Sequence, residues 1–435
     1  MENISIILRQ LDINEDYFIL TWNSDNNNKA LTKKGITNNV WKFYLSAFFG
    51  SWSFATGILI FHYRELGFSF AQILGIAVVY EVLNFILEIP TGVLADLWSC
   101  KKTVMIGYFI SGISFFIVLI NPNTYIIYII WSALSAVCTT LNSGSVSAFT
   151  YDTMQEINPE KYPRVLSRIS AISLTTQAIT IIIGGLLSDR IGFNTALLIS
   201  GIGGLLQALV FTMTIEPTKI KDTISVIVKE PIIQQFVEKV KFSFSVLFNK
   251  SEVRFLLFYG VLVFILSEFV GVIFQPYFSD MGYSTNSQIA LFSAGSLIVM
   301  ALSSLIVGKV KNRFNEGYLL LILSACLCLP LLLLKFTFLG VPVFIMFFFA
   351  IGGGGIVLSD IMNRLIPSES RATILSAQNQ IGSISYSIVA VLIGLFIDQV
   401  GIKISALFIG LGSILIFLLL FSRKNIKAIF YEGSN

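Results

Sequence analysis

The sequence predicts an all-α polytopic membrane protein, with twelve transmembrane helices arranged as two pseudo-symmetric six-helix bundles. Three observations carry this. Apolar residues make up 55% of the 435 and charged residues only 12%, and the mean hydropathy is +0.81. A soluble domain carries roughly twice that charged fraction. The apolar residues gather into runs of about 20, the length that crosses a hydrocarbon core of ~30 Å. Finally, the second half of the chain repeats part of the first.

Taken in order, residues 1–40 are polar and asparagine-rich and read as a cytoplasmic tail, since their apolar stretches are too short for a signal-peptide core. Twelve apolar segments follow, at about 41–63, 71–95, 103–120, 125–151, 165–188, 194–214, 254–279, 287–308, 317–335, 340–364, 373–397 and 401–422. The first six form one bundle (41–214) and the last six the other (254–422). Between them, 215–253 forms a cytoplasmic linker. After Pro231, apolar residues at helical spacing face Glu238, Lys239 and Lys241 there, as in an amphipathic helix lying on a membrane. Residues 423–435 form a second cytoplasmic tail.

Of the 29 lysines and arginines, all but Arg64, Arg190, Lys335 and Lys403 fall on the side that holds both chain ends. Basic loops stay on the cytoplasmic side. A multi-pass protein of the cell membrane with both termini cytoplasmic is therefore expected.

The repeat pairs residues 185–203 with 394–412. At an offset of 209, Gly185, Leu186, Asp189, Gly192, Leu198, Gly201 and Gly203 meet identical residues. Duplicated six-helix halves are typical of secondary transporters, whose substrate sites lie near midplane between the halves.

Chemistry is sought among polar groups in the apolar runs, because ionisable residues there are costly. Glu81, Asn84 and Glu88 are spaced to share one face of segment two, and Glu268 lies mid-way along segment seven. Taking a carboxyl group out of water favours its neutral form, so Glu81 and Glu268 suit proton or cation handling. The alternative is a structural hydrogen bond between helices. Glu88 adjoins the hairpin after segment two and can brace it. Asn142 in segment four and Gln378 in segment eleven offer hydrogen bonds to substrate or to a neighbouring helix. Gln275 and Pro276 mark a candidate break in segment seven, and His62 reads as a solvated helix-end residue. Gly352 to Gly355 lack the Lys-Ser/Thr of a phosphate loop and suit close packing or bending. Cys100, Cys138, Cys326 and Cys328 have no zinc or disulfide spacing, so neither metal nor cofactor is expected.

Between segments two and three the chain reads GVLADLWSCKK, in which Gly92, Asp96, Lys101 and Lys102 form a short charged hairpin. This stretch, with the six-plus-six arrangement and basic central linker, resembles the major facilitator superfamily from Trp41 to Ser422. The family's signature is Gly-x-x-x-Asp-Arg/Lys-x-Gly-x-Arg/Lys-Arg/Lys. Leu97 and Ser99 depart from it at the first basic position and the second glycine. The resemblance implies that Asp96 latches the hairpin onto the start of helix eleven near Ala372 to Leu375. An acid is favoured at such a helix end.

Two further marks of the family's drug/proton antiporters are missing: segment four has no arginine, and no proline precedes Gly184 and Gly185. The leading reading is a monomeric secondary transporter that works by alternating access and is driven by the proton gradient. Its apolar lining suits a small amphiphilic solute, and the resemblance implies export. Uptake of a nutrient such as a sugar or peptide is the second reading, and a non-transporting receptor or scaffold the third. No enzyme motif is present, and the expected partners are a small-molecule substrate and membrane lipid, not nucleic acid.

Overall fold

The computed structural model describes residues 35–217, 251–365 and 368–421. Apart from short 3₁₀ turns, their regular structure is entirely α-helical. The helices are α1 (Asn39–Gly50), α2 (Leu59–Glu65), α3 (Phe70–Leu97), α4 (Cys100–Ile120), α5 (Tyr125–Ile157), α6 (Tyr162–Ile191) and α7 (Phe193–Thr212) in the first half. The second half holds α8 (Ser251–Asp280), α9 (Asn286–Val310), α10 (Glu316–Leu333), α11 (Gly340–Leu365), α12 (Ser368–Val400) and α13 (Ile402–Leu420). Among the described residues, eleven helices, α3 to α13, are long and apolar enough to cross a membrane. The first predicted segment makes the twelfth crossing in two pieces, α1 and α2.

Several expectations shift. Ile36 and Asn39 are buried, so the first bundle begins inside the predicted tail. The amphipathic helix of the linker lies outside the described residues. The charged hairpin is tighter than its composition suggested: Gly92 and Asp96 belong to α3, Lys101 and Lys102 to the first turn of α4, and only Trp98 and Ser99 connect them. Ser99 Oγ accepts from the Lys102 amide at 3.2 Å and so caps α4. The break expected at Pro276 is absent, since α8 runs through it. Along α11, which also runs unbroken, Gly352 and Gly353 lie against α9.

Within the halves, α4 packs on α5 and α7, and α11 on α9 and α10. Between them, α3 packs on α12 and α6 on α9. These two contacts are related by the sequence repeat and share one chemistry. Asp398, near the end of α12, accepts from the Phe70 and Ala71 amides at 2.8 and 2.9 Å. Ser69 accepts from the Gln72 amide, completing the cap of α3. At the equivalent place, Asp189 of α6 accepts from the Asn286 and Ser287 amides at 2.7 and 2.9 Å, and Thr285 accepts from the Gln288 amide.

The first amides of a helix have no partner within it. In α3 and α9 the opposite half supplies the partner for two of the first three. The approach needs Gly185 and Gly394, also related by the 209 offset. A Cβ on Gly185 would lie 2.4 Å from Ala290, and one on Gly394 2.6 Å from the Ala71 backbone. Both contacts lie on the face away from Gly35 and Phe421, the ends of the described chain, here called the distal face. The halves are closed together there.

Each exposed cap is worth about 1 kcal/mol. Removing both by Asp189→Ala and Asp398→Ala should weaken distal closure by roughly 2 kcal/mol, a shift of about 30-fold between states. Spin labels at Ile191 and Leu291, both well exposed, should report a longer distance population in the double variant. An unchanged distribution would remove the caps from the closure mechanism.

Candidate functional site

Inside the distal closure the first segment loses its helix. From Ser51 to Ala55 the backbone is not helical, and a 3₁₀ turn at Thr56–Ile58 leads into α2. At membrane depth every freed amide and carbonyl needs a partner within the protein. Thr180 Oγ1 accepts from the Ser53 amide at 3.1 Å and lies 3.2 Å from the Ser51 carbonyl, to which it can donate. Ser200 Oγ lies 3.4 Å from the Ala55 amide.

The remaining partners come from the opposite half. Gln275 accepts from the Phe61 amide at 2.9 Å and donates to the Gly57 carbonyl at 3.1 Å. Ser293 also donates to that carbonyl. Gln275 is therefore the bridge that serves a break in segment one, not the site of a break in its own helix.

Glu81 lies eleven residues into α3 from the distal face, about 16 Å at 1.5 Å per residue. Glu268 lies twelve residues before the distal end of α8, about 18 Å by the same rise. The two acids thus sit at similar depth, one in each half, close enough for their charges to act on one another. Ser383 of α12 lies beside the Glu81 carboxylate.

Tyr386, one helical turn beyond Ser383, is 1% exposed, and its hydroxyl has no hydrogen-bond partner. It stands within reach of both carboxylate charges. Its ring meets Phe264 of α8 edge-on at 6.1 Å. Tyr80, also within reach of both charges, donates to Thr139 of α5 at 3.0 Å.

The other predicted residues scatter. Asn84 is half-buried beside this cluster in sequence, with a buried Oδ1 that has no partner. Glu88 turns to α5, where Ser143 donates to its carboxylate at 3.2 Å. Asn142 faces α4: its amide lies against Gly107, and Nδ2 reaches Cys138 Sγ at 3.4 Å. Gln378 places its amide against Gly260 of α8 within the second half. His62 is not solvated as expected, because its ring stacks on Phe193 at 3.8 Å and its side chain is only 13% exposed.

At the face opposite the distal one, Lys101 donates to the Thr214 carbonyl at 2.6 Å and Ser99 to the Glu216 carboxylate at 2.8 Å. The Lys102 ammonium lies over the Trp98 ring. Gly92 faces open space. The side chains of Asp96 and of residues 368–377 lie outside those described, and with them the expected latch.

Sequence reasoning passed over Ser383, Tyr386, Thr180, Ser200 and Ser293. Serine, threonine and tyrosine are common in apolar helices, and nothing in their spacing separates these from the rest. Asp189 and Asp398 did carry a signal, an acid held at equivalent places in both repeats.

A family model for the Major Facilitator Superfamily matches residues 41–390. The Bacillus subtilis (strain 168) protein YxaM, described as an uncharacterized MFS-type transporter, is 23% identical over 368 residues. The match covers 81% of this chain and 86% of that protein. Among solved structures, a mutant of the nucleoside transporter NupG has a TM-score of 0.69 at 17% identity, covering 90% of this chain and all of that one. A mutant peptide transporter POT, solved with sulfate, has a TM-score of 0.70 at 14% identity, covering 90% and 96%. At these identities the solved structures speak to the fold.

Replacing Gln275 by Leu would leave the buried Phe61 amide without a partner, at a cost of about 1–3 kcal/mol. Thermal unfolding of the purified Gln275→Leu protein should show a lower midpoint, and an equal midpoint would deny the bridge its structural role.

Proposed function

The chain belongs to the major facilitator superfamily, whose members are membrane transporters and not enzymes, and from that premise we propose a proton-coupled exporter of a small amphiphilic solute that works by alternating access. The observation that carries this reading is the pair Glu81 and Glu268. The two acids come from opposite halves and lie at similar depth, within range of one another's charge. A carboxyl group at such a place can take up and release a proton as its surroundings change between water and protein. Because the pair spans the junction, rocking the halves changes the surroundings of both acids together. Binding or loss of a proton then biases the same movement.

Closure of the distal face supplies the other half of the cycle. Opening it requires Asp189, Asp398, Gln275 and Ser293 to release backbone groups of the opposite half. Water replaces those partners, so the exchange is close to balanced and a modest change at the acids can tip it. Lysine and arginine placement supports a cell-membrane protein whose chain-end face is cytoplasmic, and the distal face is then external. The phenyl and phenol rings of Phe264 and Tyr386 beside the acids suit a solute with an apolar body.

The test is a panel of compounds applied to proteoliposomes loaded with a pH-sensitive dye, with right-side-out and inside-out populations separated. Wild-type protein should move protons against at least one compound. Glu81→Gln and Glu268→Gln should each abolish that flux while leaving expression and the unfolding midpoint intact. Flux that persists in both variants sinks the proton assignment. Compound and protons moving in the same direction would make the protein an importer instead.

A further inference from the structure

The site around Glu81 joins two acids to buried polar atoms that have no partner. Glu81 and Glu268 each present a carboxylate, and Asn84, three residues along α3 from Glu81, has a buried carbonyl oxygen without a partner. The Tyr386 hydroxyl is likewise buried and unpartnered, and stands within reach of both acids.

Positive charge is missing. Helices α3 and α5 contain no lysine, arginine or histidine, and α8 and α12 contain only Arg254 and Arg371, near their ends away from the distal face. Among the described residues, neither acid takes part in an ion pair. Ser383 lies beside Glu81.

Two acids brought together in a medium of low polarity repel one another, and the repulsion grows as water leaves. A buried polar atom without a partner adds its own cost. Protons relieve the repulsion and give each acid one O–H to donate. A cation that carries its own N–H groups relieves it while both acids stay charged, and brings more donors. An ammonium group has three donors and no acceptor, which matches two carboxylates and the phenol oxygen. The faces of Tyr386 and Phe264, whose centroids are 6.1 Å apart, offer an aromatic wall to the same charge. An anion would meet two like charges and no counter-charge.

We infer that the solute of this site is an organic cation: a protonated primary amine on an apolar body, its nitrogen held between Glu81, Glu268 and Tyr386. The inference rests on the transporter reading above and narrows its substrate class.

Three probes share one ring system and differ in charge: tryptamine is a cation, tryptophol is neutral and indole-3-acetate is an anion. Their binding to the full-length protein in zwitterionic nanodiscs is measured by equilibrium dialysis. Charge-assisted hydrogen bonds should make tryptamine bind about tenfold or more tighter than tryptophol, with indole-3-acetate weakest. Glu268→Gln should remove most of that preference by weakening tryptamine and sparing tryptophol. Tyr386→Phe, which keeps the ring, should reduce it by a smaller factor.

The inference is overturned if tryptophol or indole-3-acetate binds as tightly as tryptamine, if tryptamine does not bind, or if neither variant alters the preference. The wild-type series decides even if one variant fails to fold. Transport is judged separately, by whether spin labels on the two faces report alternate opening. A protein that alternates yet ignores probe charge keeps the transporter reading and loses this one.

Discussion

The constraint on which this structure depends is that backbone amides and carbonyls removed from water must be satisfied by the protein itself. Continuous helices meet it internally except at their ends, and among the described residues eleven of the crossings are such helices. The exceptions are the first turns of α3 and α9 and the unwound stretch of segment one. At each, the missing partner is a side chain, and at each the opposite half supplies some of it. The two halves therefore complete one another's secondary structure. This gives their contact a defined register, which apolar packing between smooth helices would not.

The same constraint explains why the contact can be reversible. An aspartate that caps a helix across the interface leaves two amides and a carboxylate behind when it withdraws, and water can satisfy all of them on an exposed face. Gln275 and Ser293 are different, being buried, so their release needs water to enter the protein. The distal closure thus has an outer part that exchanges readily and an inner part tied to hydration of the cavity. The acids Glu81 and Glu268 lie just beyond that inner part. Their demand for solvent or counter-charge bears on whether the cavity hydrates.

Much of the fold was legible in the sequence because membrane crossing leaves so long a mark: about 20 apolar residues for each helix, with basic residues sorted to one side. Depth was legible too, which is how Glu81 and Glu268 stood out. Azimuth was not. Glu81, Asn84 and Glu88 share a helical face, yet Glu81 lies beside Ser383 of α12 while Glu88 accepts from Ser143 of α5. Asn142 turned out to sit between α4 and α5. The break in segment one had a signal in its composition, with Gly50, Ser51, Ser53 and Gly57 all weak helix formers. Pro276 was the louder signal and misled, because the helix absorbs it.

Symmetry separates the mechanical parts of the molecule from the chemical ones. The caps at Asp189 and Asp398 and the glycines at 185 and 394 are duplicates, which suits a closure that must act evenly on both sides of the junction. The acids are not duplicates. Glu81 belongs to the second crossing of its half and Glu268 to the first crossing of the other, and these positions do not correspond under the repeat. Gln275, too, serves a broken first crossing from an unbroken seventh. A duplicated chain begins with two equal half-sites, and a solute without twofold symmetry cannot use both equally. Loss of symmetry at the acids, with symmetry kept at the caps, is what a closure shared by both halves around an asymmetric solute requires.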